Sequence, residues 1–162
     1  MKNLLLLIGL ALISCKSVEN TGHEDLKDEH TNEIPEINMN REHDPISVKA
    51  IIGRNEEQAS SSLQILKSQI EGNILTLKIG YSGGCEKHEF KVIGNQMISK
   101  SLPPIRAVKL IHVPNGDSCR EYIERDLIID LTDLAYKMVI GSQIRLQISG
   151  MESEVLYTYS SN

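Results

Sequence analysis

Ile74-Leu75-Thr76-Leu77-Lys78-Ile79-Gly80-Tyr81 alternates cleanly, with Leu75, Leu77, Ile79 and Tyr81 on one face. Period two of this kind marks a strand with one buried face. Upstream, Glu71-Gly72-Asn73 is a strong turn. Beyond it, Leu63 to Ile70 carries Leu63, Leu66, Lys67 and Ile70 at spacings that also suit a helical face; the reading adopted is strand. Downstream, Gln143 to Ser149 repeats the alternation through Ile144, Leu146 and Ile148. Ile46 to Ile52, His88 to Ile93, Ile105 to Val113, Arg120 to Asp130 and Glu154 to Tyr159 supply further short runs between turn signals, and Gly53 to Ser62 reads as loop. Leu131 to Tyr136 reads as a short helical turn that Thr132 or Asp130 can cap. About seven or eight short strands with no long helix predict an all-β fold, an antiparallel β-sandwich or barrel.

The first residues read differently. Met1-Lys2-Asn3 is a short basic start, and Leu4 to Ile13 is uninterruptedly apolar. About ten apolar residues are half of what a helix needs to cross a bilayer core, and they match the h-region of a secretory signal. The run ends in Leu12-Ile13-Ser14-Cys15, which resembles the lipobox of bacterial lipoproteins. The resemblance implies cleavage before Cys15, a diacylglyceryl thioether on that cysteine and an acylated new amino terminus. Two or more acyl chains make membrane attachment stable where one does not. Lys16 follows the cysteine in place of the aspartate that retains such proteins at the inner membrane, so the expected location is the cell envelope, at the outer membrane.

Three segments follow: a signal peptide over 1–14, a lipidated acidic tether over 15–45, and a β-domain over 46–162. Between Lys16 and Pro45 lie nine acids (Glu19, Glu24, Asp25, Asp28, Glu29, Glu33, Glu36, Glu42, Asp44) against Lys16, Lys27 and Arg41, whereas acids and bases balance from Ile46 onward. The tether has almost no apolar periodicity, so burial cannot offset the entropy of ordering it. As a coil of about thirty residues it reaches roughly 30 Å. His23, His30 and His43 sit among its acids and read as solvated rather than as metal ligands. A neutral domain behind an acidic tail, with no basic patch, excludes nucleic acid as a partner.

Lipidation consumes Cys15 and leaves Cys85 and Cys119, an even pair in an oxidising export compartment. Cys85 and His88 form a C-x2-H pair after Gly83-Gly84; His112 and Cys119 flank the turn at Asn115-Gly116. Strand parity puts His88 with Phe90 and Val92, and His112 with Val108 and Leu110. If the two strand ends are neighbours, all four groups meet at one edge of the core. Three readings stand side by side. A Cys85–Cys119 disulfide would be a structural staple. A Cys2His2 set of Cys85, His88, His112 and Cys119 would suit zinc or copper, though not at zinc-finger spacing. A Cys85 nucleophile would need His88 or His112 as base and Asp117 or Glu89 to orient it.

The segment Tyr81 to Phe90, with His112 and Cys119 downstream and then Ile129-Asp130-Leu131-Thr132-Asp133-Leu134, resembles uncharacterised envelope lipoproteins of Bacteroides-type bacteria that carry a GGC-x2-H-x-F motif. The likeness covers roughly residues 74 to 150. It implies an envelope location and a β-rich domain, and brings no activity with it. The pairs Glu124/Asp126 and Asp130/Asp133 read as solvated faces, and no EF-hand, phosphate loop, nucleophile elbow or HExxH pattern is present. Aromatics are only 4% with no tryptophan, which disfavours sugar-stacking platforms. The expectation is a lipid-anchored envelope protein without catalytic residues or cofactor, a binding or structural module held to the membrane by its anchor and open to an envelope protein partner; the alternative is a zinc- or copper-binding lipoprotein.

Overall fold

The computed structural model of the chain describes residues 44–54 and 59–161. The signal segment, Cys15, the tether up to residue 43 and its three histidines lie outside the described residues. Among those residues are nine strands: β1 (Ile46–Lys49), β2 (Ile51–Gly53), β3 (Gln64–Glu71), β4 (Ile74–Gly83), β5 (Glu89–Ser99), β6 (Ile105–Val113), β7 (Glu121–Asp130), β8 (Gln143–Ile148) and β9 (Val155–Thr158). One 3-10 turn, Thr132–Leu134, lies between β7 and β8. The fold is all-β.

Two open sheets form, one ordered β1-β7-β4-β3 and the other β2-β5-β6-β8-β9. The alternation of β4 is realised directly: Leu75, Leu77, Ile79 and Tyr81 are all buried. They share one core with Ile123, Leu127 and Ile129 of β7 and with Phe90, Val92, Val108, Leu110, Ile144, Leu146 and Ile148 of the other sheet. Side chains at every second position of both sheets thus interdigitate between them, as sandwich packing requires.

The expected single strand over Ile46 to Ile52 is two strands in different sheets. β1 runs parallel to β7, with Val48 opposite Ile129, and β2 runs parallel to β5, with Ile52 opposite Gly94. The switch occurs at Ala50, which is fully buried and donates its N–H to the Asp130 carbonyl at 2.9 Å. A methyl side chain fits where the chain passes between sheets; a larger one at that point would meet the core. β5 also extends past Ile93 to Ser99, through Gly94-Asn95-Gln96, whose turn-like composition hides a strand that the partner β6 sustains across an irregularity. Pairing is mixed rather than wholly antiparallel, since β6 and β8 are parallel as well. Between them the chain visits β7 in the opposite sheet, and such a crossover returns a strand in the same direction.

Both ends of the sandwich are closed by polar bonds. At one end the helical turn buries Leu131 and Leu134, and Asp130 Oδ1 accepts from the Thr132 N–H at 2.9 Å. The N-cap position itself is held by Leu131 without a side-chain cap, so neither Thr132 nor Asp130 caps the turn from that position. Asn73, in the β3–β4 turn, accepts from the Tyr157 hydroxyl at 2.9 Å and the Ser160 N–H at 3.0 Å, tying one sheet to the end of the other. The opposite end holds the β4–β5 and β6–β7 connections, which cross between the sheets in opposite senses.

Candidate functional site

Those two connections carry Cys85 and Cys119, and the cysteines are joined as a disulfide with Cα atoms 5.9 Å apart. The bond therefore staples one inter-sheet crossing to the other. His88 lies just before β5 and His112 lies in β6 directly opposite Phe90. Both histidines are buried, on the faces that strand parity assigns them.

The rings form a compact stack. Tyr81, reaching across from β4, has its ring centre 4.7 Å from that of His88 and 5.0 Å from that of His112. Phe90 lies nearly parallel to His112 at 5.0 Å. His88 Nδ1 is 2.7 Å from His112 Nε2, and His112 Nδ1 is 3.2 Å from the Ser62 carbonyl oxygen. The other nitrogen of His88, Nε2, is 3.0 Å from Asp117 Oδ2.

Asp117 is the hub of the site. Its Oδ2 also accepts from the backbone N–H groups of Gly84, Cys85 and Glu86 at 2.9 to 3.0 Å, and its Oδ1 accepts from the Cys119 N–H at 2.8 Å. The carboxylate is wholly shielded from solvent. The His88 hydrogen bond first, then the amide donors, hold its pKa far below the ordinary carboxylate range. Burial, aided by repulsion from His88, lowers the pKa of His112.

The positions of the outer protons follow from these contacts. Asp117 is an ionised acceptor and the Ser62 oxygen can only accept, so hydrogens sit on His88 Nε2 and on His112 Nδ1. The contact between the rings joins His88 Nδ1 to His112 Nε2, its donor set by the tautomers. The line Asp117–His88–His112–Ser62 is complete, with every nitrogen and both carboxylate oxygens engaged.

Local sequence explains the close approach. A β-carbon on Gly83 would collide with His88 Nε2 and Cε1 and lie 2.9 Å from Asp117 Oδ2, so only glycine admits this pairing. Asn115 and Gly116 both have positive φ, the turn that places Asp117 under the β4–β5 loop. The Asn115 side chain donates to the Lys87 carbonyl at 2.7 Å, a second polar link between the crossings.

All four residues of the proposed Cys2His2 set do converge. Their donor atoms, however, are committed to one another: sulfur to sulfur, imidazole to imidazole. Cys85, Asp117 and Cys119 place one sulfur or oxygen each within 4.8 Å of the others, a potential cation set only if the disulfide opens. Even then Asp117 already serves five donors. Cys85 as a nucleophile is likewise consumed by the bond, and Glu89 is exposed while Asp117 takes the place beside His88. Tyr81, Ser62 and the anchoring role of Asp117 escape sequence reading; the Asn-Gly-Asp turn announces a bend but not which loop its aspartate reaches. Beside the cluster opens a cleft of about 390 Å³, lined by Ser62, Gln64, Tyr81, Ser82, Asp117 and Tyr122 among others.

No sequence-family model and no curated protein matches the chain. Solved structures do. A NigD-like immunity protein from Bacteroides caccae is similar at a TM-score of 0.51 and 12% identity, over 68% of this chain and 58% of that one. A protein of unknown function from Bacteroides vulgatus aligns at 0.48 and 15% identity, over 73% and 58% of the two chains. A toxin-related protein from Parabacteroides distasonis aligns at 0.46 and 12%, over 73% and 62%. The chain thus spans about three-fifths of the length of these structures, and at such identities the likeness concerns fold alone.

Proposed function

We propose that this protein is a lipid-anchored, non-enzymatic binding module of the bacterial cell envelope. The observation that carries the reading is the closed polar line at the stapled end. Catalysis needs a nucleophile or a base with a lone pair free to meet substrate. Here Cys85 and Cys119 are bonded to each other, and the nitrogens of His88 and His112 and the oxygens of Asp117 are all engaged within the fold. Such a cluster holds two loops rigid, and rigid loops on a sandwich suit recognition.

The address rests on the h-region Leu4 to Ile13 and the lipobox Leu12-Ile13-Ser14-Cys15, with the outer membrane as the expected site. The name of the Bacteroides caccae structure, an immunity protein, agrees with a role exercised by binding.

Two measurements test the reading. The mass of the chain extracted from membranes should equal that of residues 15–162 plus acyl groups; an unmodified Cys15 overturns the anchor. A turnover activity that vanishes in His88→Gln while the fold persists overturns the non-enzymatic assignment.

A further inference from the structure

The five most exposed large apolar side chains among the described residues are Leu102 (98%), Met97 (81%), Ile140 (71%), Met138 (64%) and Val139 (63%). All lie in two segments, the β5 end with the β5–β6 loop and the connection from the 3-10 turn to β8. The two segments meet in space. Tyr136 of the second lines a shallow recess with Ile98, Leu102 and Pro104 of the first. Arg145, at the start of β8, donates its N–H to the Pro104 carbonyl at 2.8 Å. The apex is a tight turn in which the Ser142 N–H bonds to the Val139 carbonyl and Gly141 takes φ +83°, which thrusts Ile140 outward. This end lies opposite the disulfide: β5 runs towards it, and β6 and β8 start from it.

The two segments are locally basic. Residues 96–104 and 135–143 contain Lys100 and Lys137 and no acid, whereas acids and bases balance over residues 46–162. Lys137 Nζ stands 5.3 Å from the centre of the Tyr136 ring, so its stem runs along the apolar surface. Apolar tips, a tyrosine that is apolar at one end and polar at the other, and lysines that face outward are the composition of a surface that dips into a lipid headgroup layer.

We propose that these two loops form a lipid-contacting tip, seated on an anionic phospholipid surface by Leu102, Met138, Val139 and Ile140 and held there by Lys100 and Lys137. The proposal rests on the envelope reading and deepens it: an acyl anchor on a tether of about thirty residues keeps the domain near lipid, and the tip selects its orientation. Anchoring and tip would act together through effective concentration, each weak contact made intramolecular by the other.

The test uses the non-acylated chain of residues 16–162, which retains both sheets and the entire described core, so that its outcome is independent of whether Cys15 is lipidated. Co-sedimentation is measured with vesicles of phosphatidylcholine and of phosphatidylcholine with one quarter phosphatidylglycerol. The expected result is binding that is roughly tenfold stronger on the anionic vesicles, lost in Leu102→Asp/Ile140→Asp and made insensitive to lipid charge in Lys100→Gln/Lys137→Gln. Both apolar positions are so exposed that the substitutions leave the core untouched, which an unchanged unfolding midpoint verifies. Failure of the wild-type chain to sediment with either vesicle, or equal sedimentation by the aspartate variant, overturns the proposal. Self-association of the wild type that the aspartate variant abolishes, without vesicle binding, would assign the surface to a second copy instead.

Discussion

His88 Nδ1 and His112 Nε2 lie 2.7 Å apart in a buried ring stack, the central link of the line from Asp117 to Ser62. The Ser62 oxygen can only accept, and burial disfavours the charged form of His112, so its hydrogen belongs on Nδ1. At neutral pH, two-dimensional nitrogen–proton spectra of labelled protein should show His112 carrying hydrogen on Nδ1 and not on Nε2. A His112 signal with hydrogen on Nε2 would contradict the assignment.

Acid should weaken the fold in two stages. His112 has an ordinary value of 6.5 and is depressed by burial. The unfolded chain therefore takes up a proton there before the native one does, and stability falls as pH drops below about 6.5. Asp117, ordinarily 3.8, is depressed mainly by its bond from His88. Its contribution is complete above the ordinary value and fades as pH falls through the region below about 4. Denaturant midpoints from pH 8 to pH 2.5 should show both declines. In Asp117→Asn the protein should be less stable at pH 7, and the stage below pH 4 should shrink. A variant that keeps the full acid limb would remove Asp117 as its cause.

Gly83→Ala tests the fit of the latch. Its β-carbon would occupy the space of the His88 ring edge, and relief requires breaking the bond to Asp117. A loss of about 1–3 kcal/mol is expected, the usual range for overpacking. The same change at Gly116, where nothing lies within 4 Å of the added carbon but φ is +83°, would cost through backbone conformation alone and leave the histidine signals in place.

The sequence makes the sandwich legible where burial is one-sided. Ile74 to Tyr81 and Ile105 to Val113 alternate because one face is core and the other solvent, and both form strands. Pattern carries no information on strand direction, so the parallel pairs β1–β7, β2–β5 and β6–β8 could not be read; these depend on which sheet the intervening chain visits. Ala50 shows why the first strand divides, since the sheet switch needs a small buried residue but a small residue does not announce a switch. The candidate site was legible in part. Parity placed His88 and His112 inward and cysteine parity paired Cys85 with Cys119, whereas the reach of Asp117 to the amides of Gly84, Cys85 and Glu86 spans more than thirty residues and follows only from the folded loops.

A link at the other end can be measured separately. Tyr157 is fully buried, and its pKa is pushed up to about 12 chiefly by that burial. Its hydroxyl donates to Asn73 Oδ1, so Tyr157→Phe should cost about 1 kcal/mol by removing one neutral hydrogen bond. Asn73→Ala leaves the buried hydroxyl and the Ser160 N–H without their acceptor and should cost roughly 2–4 kcal/mol. Equal costs for the two variants would mean that the Asn73 side chain contributes through Tyr157 alone.

Reduction of the disulfide provides the final test, because the staple and the polar latch join the same two crossings. The cysteines are 34 residues apart, and closing a loop of that size stabilises by roughly 4 kcal/mol in the chain-entropy view. Protein exported to the periplasm and denatured with chelator but without reductant should show no free thiol among Cys85 and Cys119. The Cys85→Ser/Cys119→Ser pair should then lose up to that amount while the His88–Asp117 contact survives, since Asp117 is held by backbone amides that the sulfurs do not supply. Collapse of the histidine spectrum in the serine variant would show that the disulfide positions the latch. Two reactive thiols, with zinc or copper recovered from protein purified without chelator, would revive the Cys85, His88, His112 and Cys119 metal set and displace the staple.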